Sequence, residues 1–242
     1  MIWGVTGVAV LFFSVWTFFP LGYAFVRSFY DWQPTAPSQR FLGLANYHEA
    51  LFSDPLMWRA AKNTVAFTLA NVGIGTVLCL TTALLINAVS HRGWATLFRA
   101  SYFLPYVASL AAVALVWQFV YQPRFGILNA TIRYVAEALA LPPPPEIGWL
   151  TRPQWAMTSV IIMTLWKNLG FRTVIYLAGL QDIPESLYDA AKIDGAGRWA
   201  QIRCITLPLL APSLALTTVM STIGSLQVFA QVFMMTRGGP MY

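Results

Sequence analysis

The chain has 242 residues, of which 57% are hydrophobic and only 10% charged. A soluble domain carries about 25% charged residues, so this sequence cannot cover a water-facing surface and reads as a membrane protein. The formal net charge of +6 is modest and is not gathered into a dense basic run. That argues against nucleic acid as a partner and suits anionic lipid headgroups or an anionic ligand.

A helix needs about 20 apolar residues to cross the hydrocarbon core, and five segments qualify. Residues 2–26 carry no charge and have no basic stretch before them. This is longer than the apolar part of a signal peptide, so a first spanning helix is expected at about 3–26. Residues 27–61 are polar and aromatic, with Pro34, Pro37 and Pro55. A second span, at about 63–89, starts after Lys62. Residues 90–99 form a short basic turn containing His91, Arg92 and Arg99. The third span is expected at about 100–121. Residues 122–153 include four consecutive prolines at 142–145, a stiff extended spacer. The fourth span, about 154–180, is interrupted by Lys167 and Arg172, and the fifth, about 211–235, lies in an uncharged run over 204–236. In lipid every backbone polar group must be paired internally, which leaves helices or closed barrels. These runs are too long for barrel strands and do not alternate. The expected fold is all-α and multi-pass, one transmembrane domain over 1–242.

Trp3, Tyr23, Trp32, Trp58, Tyr102, Tyr121 and Trp155 gather near segment ends, where amphipathic rings favour the headgroup level. Charge does not set the orientation. With 90–99 and 181–210 in the cytoplasm, that side holds Arg92, Arg99, Lys192, Arg198 and Arg203. The other side holds Arg27, Arg40, Arg59, Lys62, Arg124, Arg133, Arg152 and Arg237. This is opposite to the usual basic excess in cytoplasmic loops. Cys79 lies in an apolar segment and Cys204 in a polar one, and the pair makes no disulfide framework. His48 and His91 lie in loops without metal-ligand spacing.

The most informative stretch is the polar block 182–208 between the fourth and fifth spans. Asp182 is expected to cap a helix, with Glu185 as its capping-box partner and Pro184 in the first turn. Leu187, Ala190 and Ala191 give a small apolar face. Asp194-Gly195 breaks the helix, since glycine reaches positive φ without steric cost. A second helix places Trp199, Ile202 and Ile205 on one face and ends at Leu207-Pro208. Small residues at 190, 191 and 195 admit the backbone of another protein, and Asp189 supplies one oriented charge. Composition alone leaves open an ordinary amphipathic interfacial loop.

The spacing from Asp189-Ala190-Ala191 through Gly195 to Ile205 and Leu207-Pro208 resembles the EAA loop of ATP-binding-cassette import permeases. The longer run from Ile183-Pro184-Glu185 to Asp194-Gly195-Ala196 resembles their carbohydrate-uptake subfamily, which includes the maltose and glycerol-3-phosphate permeases. Further matches are Phe41-Leu42-Gly43-Leu44-Ala45-Asn46-Tyr47, Asn63-Thr64, Leu104-Pro105, Phe125-Gly126-Ile127-Leu128-Asn129 and Thr236-Arg237-Gly238-Gly239-Pro240. The resemblance runs from about residue 20 to the last residue. Two positions depart from it: Asp189 stands where the family usually has Glu, and Ile202 where it usually has Phe. The family pattern also has a sixth spanning helix after the Gly-Gly-Pro turn.

The resemblance implies a permease subunit of an ATP-driven importer for a sugar, sugar alcohol or glycerol-phosphate-type solute, in a bacterial or archaeal cell membrane. It implies no catalytic residue and no metal in this chain. The sequence holds no Gly-x-x-x-x-Gly-Lys-Ser/Thr loop, so ATP and Mg are expected on a partner, an ATPase dimer. A second homologous permease and an extracytoplasmic solute-binding protein complete the expected assembly. Coupling to the ATPase is assigned to Asp189, Ala190, Ala191, Asp194, Gly195, Ile202, Ile205, Leu207 and Pro208.

The solute path is expected near the bilayer midplane, where polar side chains are costly and usually functional. Trp166, Lys167, Asn168, Phe171 and Arg172 stand out in the fourth span. The family's helices put Asn168, Phe171, Ser221, Ser225 and Gln227 near its sugar path. Alternatives stay open. Ser221 and Ser225 also suit close helix packing, Arg172 also suits snorkelling to the headgroups, and Lys167 also suits a carboxylate from the sister permease. Two other classes fit the sequence less well. A self-sufficient channel or secondary transporter lacks its inverted repeat of broken helices. An intramembrane enzyme lacks paired carboxylates or a nucleophile–histidine set within the spans.

Overall fold

The structure is a computed structural model that describes residues 2–31, 40–88, 92–142 and 144–239, with the side chains of 2–5, 92–96 and 99 left aside. Trp32, Pro34, Pro37, His91, Pro143 and Pro240, and the side chains of Trp3, Arg92 and Arg99, named above, lie outside what is described. The chain divides into two compact units, 1–62 and 63–242.

The first unit begins with α1 (Ile2–Phe13), which continues through a π-helical turn at Ser14–Phe18 into α2 (Phe19–Arg27). The apolar side chains of 6–26 are almost all exposed, as suits a helix in contact with lipid. Two short strands follow, β1 (Tyr30–Asp31) and β2 (Arg40–Phe41), paired antiparallel with Tyr30 opposite Phe41. Next come α3 (Ala45–His48), a second π-helical turn at Glu49–Ser53, and the start of α4 (Pro55–Asn87). The Gly-Leu-Ala-Asn-Tyr motif has a local explanation here. Gly43 turns the chain at φ +58°. The Asn46 amide donates to the Ser28 and Tyr30 carbonyls at 2.8 and 3.1 Å, and the Tyr47 hydroxyl meets Ser28 Oγ at 2.6 Å.

The second unit holds the rest of α4, then α5 (Arg92–Val107), α6 (Leu110–Val120), α7 (Ile127–Ala138) and α8 (Pro153–Gln181). After these come α9 (Glu185–Ile193), α10 (Arg198–Gln201), a π-helical turn at Ile202–Thr206, α11 (Leu207–Leu209), α12 (Ala211–Leu226) and α13 (Ala230–Thr236). Helix α8 is the common wall of two cores. One core packs Cys79, Ala83 and Ile86 of α4 against Tyr176, Leu177 and Leu180 of α8. The other packs Phe67 of α4, Val113 and Ala114 of α6 and Met235 of α13 against Val160 and Met163 of α8. Cys79 is buried in the first core and Cys204 is exposed on the last π-helical turn, both as free thiols.

Among the described residues, three helices are long and apolar enough to cross a membrane, rising to five spans if two bent pairs each count as one. The bends depart from the straight helices expected at 100–121 and 211–235. The axis turns by 105° between Val107 and Leu110. Pro105 lies one turn before that break, and proline weakens a helix by removing a donor and clashing with the preceding turn. Ser109 then caps α6, its Oγ accepting from the Ala112 N–H at 3.3 Å. The second bend, 66°, separates 198–209 from α12. Beyond it, α12 ends at Leu226, and the chain restarts as α13 at Ala230.

A buried polar network anchors the loop between α7 and α8. The Asn129 amide donates to the Pro123 and Ile147 carbonyls at 2.8 and 2.9 Å, and its Oδ1 accepts from Trp149 Nε1 at 3.0 Å. Ser159 Oγ donates to the Trp149 carbonyl at 3.0 Å, and the Tyr121 hydroxyl donates to the Ser159 carbonyl at 3.0 Å. Asn129 of the Phe-Gly-Ile-Leu-Asn motif thus fastens α7 to the segments on either side of it, and Ser159 fastens the loop to α8.

Candidate functional site

Three helices of the second unit carry polar residues or glycine at helical spacing: Asn71 and Gly75 on α4; Thr164, Asn168 and Arg172 on α8; Thr217, Ser221 and Ser225 on α12. Residues four apart share a face, so each helix presents one polar stripe within an apolar span. The stripes converge. Asn71 Nδ2 donates to Ser225 Oγ at 2.7 Å, and the Tyr176 hydroxyl meets Thr217 Oγ1 at 2.7 Å. Arg172 Nη1 donates to the Asn71 carbonyl at 3.2 Å. Between the stripes lies a cleft of about 210 Å³. Asn71, Thr164, Arg172, Thr217 and Ser221 in its wall are all buried. Tyr106, Phe171 and Phe67 supply its aromatic surface, and Gln231 of α13 contributes a further amide.

The residues expected on the solute path separate into two groups. Asn168, Phe171, Arg172 and Ser221 line the cleft. Ser225 sits behind it as the acceptor for Asn71. Trp166 is half exposed, its ring edge-on to Trp117 at 5.6 Å, and Gln227 is exposed at the end of α12, where its backbone N–H closes the last turn. Lys167 has a different occupation. Its ammonium donates to the carbonyls of Tyr106 and Ala108 at 3.0 and 2.8 Å, and to that of Pro105 at 3.4 Å. These are the carbonyls that the 105° bend leaves without helical partners. The ammonium also lies 5.6 Å from the Tyr106 ring centroid, and Tyr106 stacks on Phe171 at 4.6 Å and 10°. Lys167 therefore holds the break that presents Tyr106 to the cleft.

Asn71, Tyr106, Thr164, Thr217 and Gln231 were not singled out from the sequence. The signal for Asn71, Thr164 and Thr217 was present as the four-residue spacing within apolar spans. Tyr106 had none, because its position depends on the bend. Two glycines set the close approaches. A Cβ on Gly75 would overlap the Arg172 guanidinium, and one on Gly170 would run into the backbone of Tyr102 and Phe103.

The block at 182–208 forms a compact, exposed structure. Helix α9 starts at Glu185 with Pro184 preceding it and no side-chain cap. Asp182 instead ends α8, so the expected capping box is absent; the proline carbonyl accepts from the Leu187 N–H at 3.2 Å in its place. Gly195 turns the chain at φ +80°, with its N–H on the Lys192 carbonyl at 3.1 Å and the Ala196 N–H on the Ala191 carbonyl at 2.8 Å. Tyr188 and Thr206 hydroxyls meet at 2.9 Å, and the Gln201 amide donates to the Ala196 carbonyl at 2.9 Å. Asp189, Ala190, Asp194, Gly195 and Pro208 are exposed, while Ala191, Ile202, Ile205 and Leu207 are half-buried. The Asp189 carboxylate is met by Lys192 at 2.9 Å. Trp199 does not share the Ile202–Ile205 face. It is 74% exposed, whereas Ile205, on the π-helical turn at Ile202–Thr206, packs on the core of α4 and α8.

Sequence comparison gives the family. The profile of proteins described as binding-protein-dependent transport system inner membrane components matches residues 75–241. The chain belongs to this family. It is a multi-pass membrane component of a transport system and not an enzyme. It is 36% identical over 236 residues to the lactose transport system permease protein LacF of Rhizobium radiobacter, spanning 98% of this chain and 76% of that protein. It is 33% identical over 234 residues to the sulfoquinovosyl glycerol transport system permease protein SmoG of Agrobacterium fabrum, spanning 96% of this chain and 72% of that protein. The fold matches a chain in the crystal structure of a bacterial alginate ABC transporter in complex with an alginate pentasaccharide-bound periplasmic protein. The TM-score is 0.79 at 24% identity, over 97% of this chain and 78% of that one.

Proposed function

We propose that this chain is one permease subunit of an ATP-driven importer for a sugar, sugar alcohol or glycerol-phosphate-type solute. It supplies half of the translocation path as a single permease domain over 1–242. The observation that carries the reading is the cleft, where buried polar side chains from three spans converge beside a stacked aromatic pair. A wall of this kind offers hydrogen bonds to hydroxyls and an aromatic face to a sugar ring. At about 210 Å³ the cleft is smaller than the ~300–1,000 Å³ of a complete small-molecule site, which suits a path completed by a second, homologous permease. The sugar permeases among its relatives support the solute class, and the periplasmic protein held by the alginate transporter supports a solute-binding partner.

In this reading the exposed block at 182–208 docks on a separate ATPase dimer, which binds the ATP and Mg. Asp189 to Gly195 present the small, charged contact surface, and Ile202, Ile205, Leu207 and Pro208 join it to the spans. The support is its internal bonding: a hairpin cross-tied at Tyr188–Thr206 and Gln201–Ala196 transmits a displacement that a slack loop would absorb.

The test is purification of the tagged chain from its native membrane in mild detergent, with mass spectrometry of what accompanies it. Recovery of an ATP-binding-cassette ATPase and a second related permease is the expected result. Recovery of the chain alone, still transporting solute in vesicles, would overturn the proposal in favour of a self-sufficient channel or secondary transporter.

A further inference from the structure

Arg172 is a buried cation without a counter-charge. The residue is 6% exposed and, of the five N–H groups a guanidinium carries, one is used among the described residues, on the Asn71 carbonyl. The ion pairs seen among the described residues, Arg133–Glu146 and Lys192–Asp189, do not involve it. Nor does the sequence hold a carboxylate that belongs in the spans. No Asp or Glu occurs between Asp54 and Glu137, between Glu146 and Asp182, or after Asp194. A buried cation in a membrane protein is costly unless paired, and no carboxylate of residues 1–242 lies in the spans to pair it.

The surroundings are built to expose that charge to the cleft rather than to neutralise it. Gly75 has no side chain where one would overlap the guanidinium, and this brings Arg172 against α4. The neighbouring Asn71 places its own Nδ2 on Ser225 and leaves Oδ1 without a partner. Arg172, Asn168 and Ser221 then face one cleft: a fixed cation beside neutral hydrogen-bonding groups. Lys167, the other cation of α8, is occupied by backbone carbonyls and does not compete for the same anion.

We propose that the cleft takes an acidic sugar or sugar derivative, and that Arg172 pairs with its carboxylate, sulfonate or phosphate as it passes. This rests on the cleft being part of the solute path. Guanidinium pairs planar and tetrahedral oxyanions through paired N–H groups, so the preference is for the oxyanion and not for negative charge alone.

The experiment uses the whole transporter, this chain with its sister permease and ATPase, in nanodiscs of phosphatidylcholine, where no anionic headgroup is present. Thermal midpoints are followed against sodium glucuronate and against glucose, with sodium chloride at equal ionic strength as the blank. Saturable stabilisation by glucuronate is expected, with glucose weaker by roughly tenfold or more. Arg172→Gln is expected to bring the two sugars together, and Arg172→Lys to retain part of the difference. Asn71→Asp, which places a carboxylate beside the guanidinium, is expected to remove the glucuronate preference. It also gives a second reading should Arg172→Gln not fold. A glucuronate preference that survives Arg172→Gln or Asn71→Asp overturns the proposal. Equal binding of both sugars by the unaltered complex also overturns it, while leaving the solute path in place. Binding of neither sugar overturns both. Separation of the two permeases in Arg172→Gln would show that a carboxylate of the sister subunit is the counter-charge, and this too overturns it.

Discussion

Lys167 and Arg172 stand five residues apart on one helix and end in opposite situations. Five residues are about 140° of helical rotation, so the two side chains leave α8 on different faces. Arg172 enters the cleft, and Lys167 reaches back to the carbonyls at 105, 106 and 108. Lys167→Met is expected to leave those carbonyls unpaired, at a cost of about 1–3 kcal/mol, seen as a lower thermal midpoint of the purified complex. Lys167→Arg, which still donates to carbonyls, should restore most of it. An unchanged midpoint in Lys167→Met would show that the bend holds itself. The sequence marked both cations as unusual for a spanning helix. It did not show what each would meet, because the acceptors for Lys167 exist only once α5 and α6 part. The same limit explains Gln227 and Gln231. Both are polar residues near the end of the last apolar run, and the restart of the helix at Ala230 decides that only Gln231 faces the cleft.

At the scale of elements, the connections carry as much information as the spans. Asn129 closes three hydrogen bonds that tie α7 to the segments before and after it, at Pro123 and at Ile147 and Trp149. Asn129→Ala is expected to destabilise the folded chain by about 2–4 kcal/mol, since two carbonyls and the Trp149 N–H lose their partner. A fall in thermal midpoint with a red-shifted tryptophan emission would report it, and an unshifted emission would show that Trp149 stays packed without Asn129. In the block at 182–208, Gly195 adopts φ +80° and its N–H is bonded to Lys192. Proline can provide neither, being fixed near φ −65° and lacking the N–H. Gly195→Pro is expected to leave ATP hydrolysis by the complex running while solute uptake in proteoliposomes falls at least about tenfold. Unchanged uptake would remove the hairpin from the coupling path. The turn at Asp194-Gly195 was legible from residue type alone. The start of α9 was not, since Asp182 satisfies the end of the preceding helix before it can cap the next.

The whole molecule keeps much of its apolar surface uncovered. Leu69, Ile74 and Val77 of α4 and Leu216, Val219 and Ile223 of α12 are each about half or more exposed, a pattern suited to lipid or to a second permease. Membrane class and helical content followed directly from composition and run length, because the bilayer permits few alternatives. The two bends did not, since apolarity and length are the same for a straight span and a broken one, and Pro105 alone does not dictate a 105° turn. Co-production with the sister permease is expected to raise the thermal midpoint over the singly produced chain by several degrees, as binding to the native state does by mass action. A midpoint independent of the sister subunit would indicate that these faces meet lipid only.

The two thiols differ in a way that bears on how motion in this protein can be watched. Cys79 is sealed at 1% exposure between α4 and α8, while Cys204 is open on the turn that joins the 182–208 hairpin to the membrane. Of the two, a maleimide fluorophore or nitroxide is expected to react at Cys204, next to the block proposed to dock on the ATPase. A label at Cys204 sits on the turn that joins the hairpin to the membrane, and a change in its signal on adding nucleotide to the complex is the expected sign that the hairpin moves.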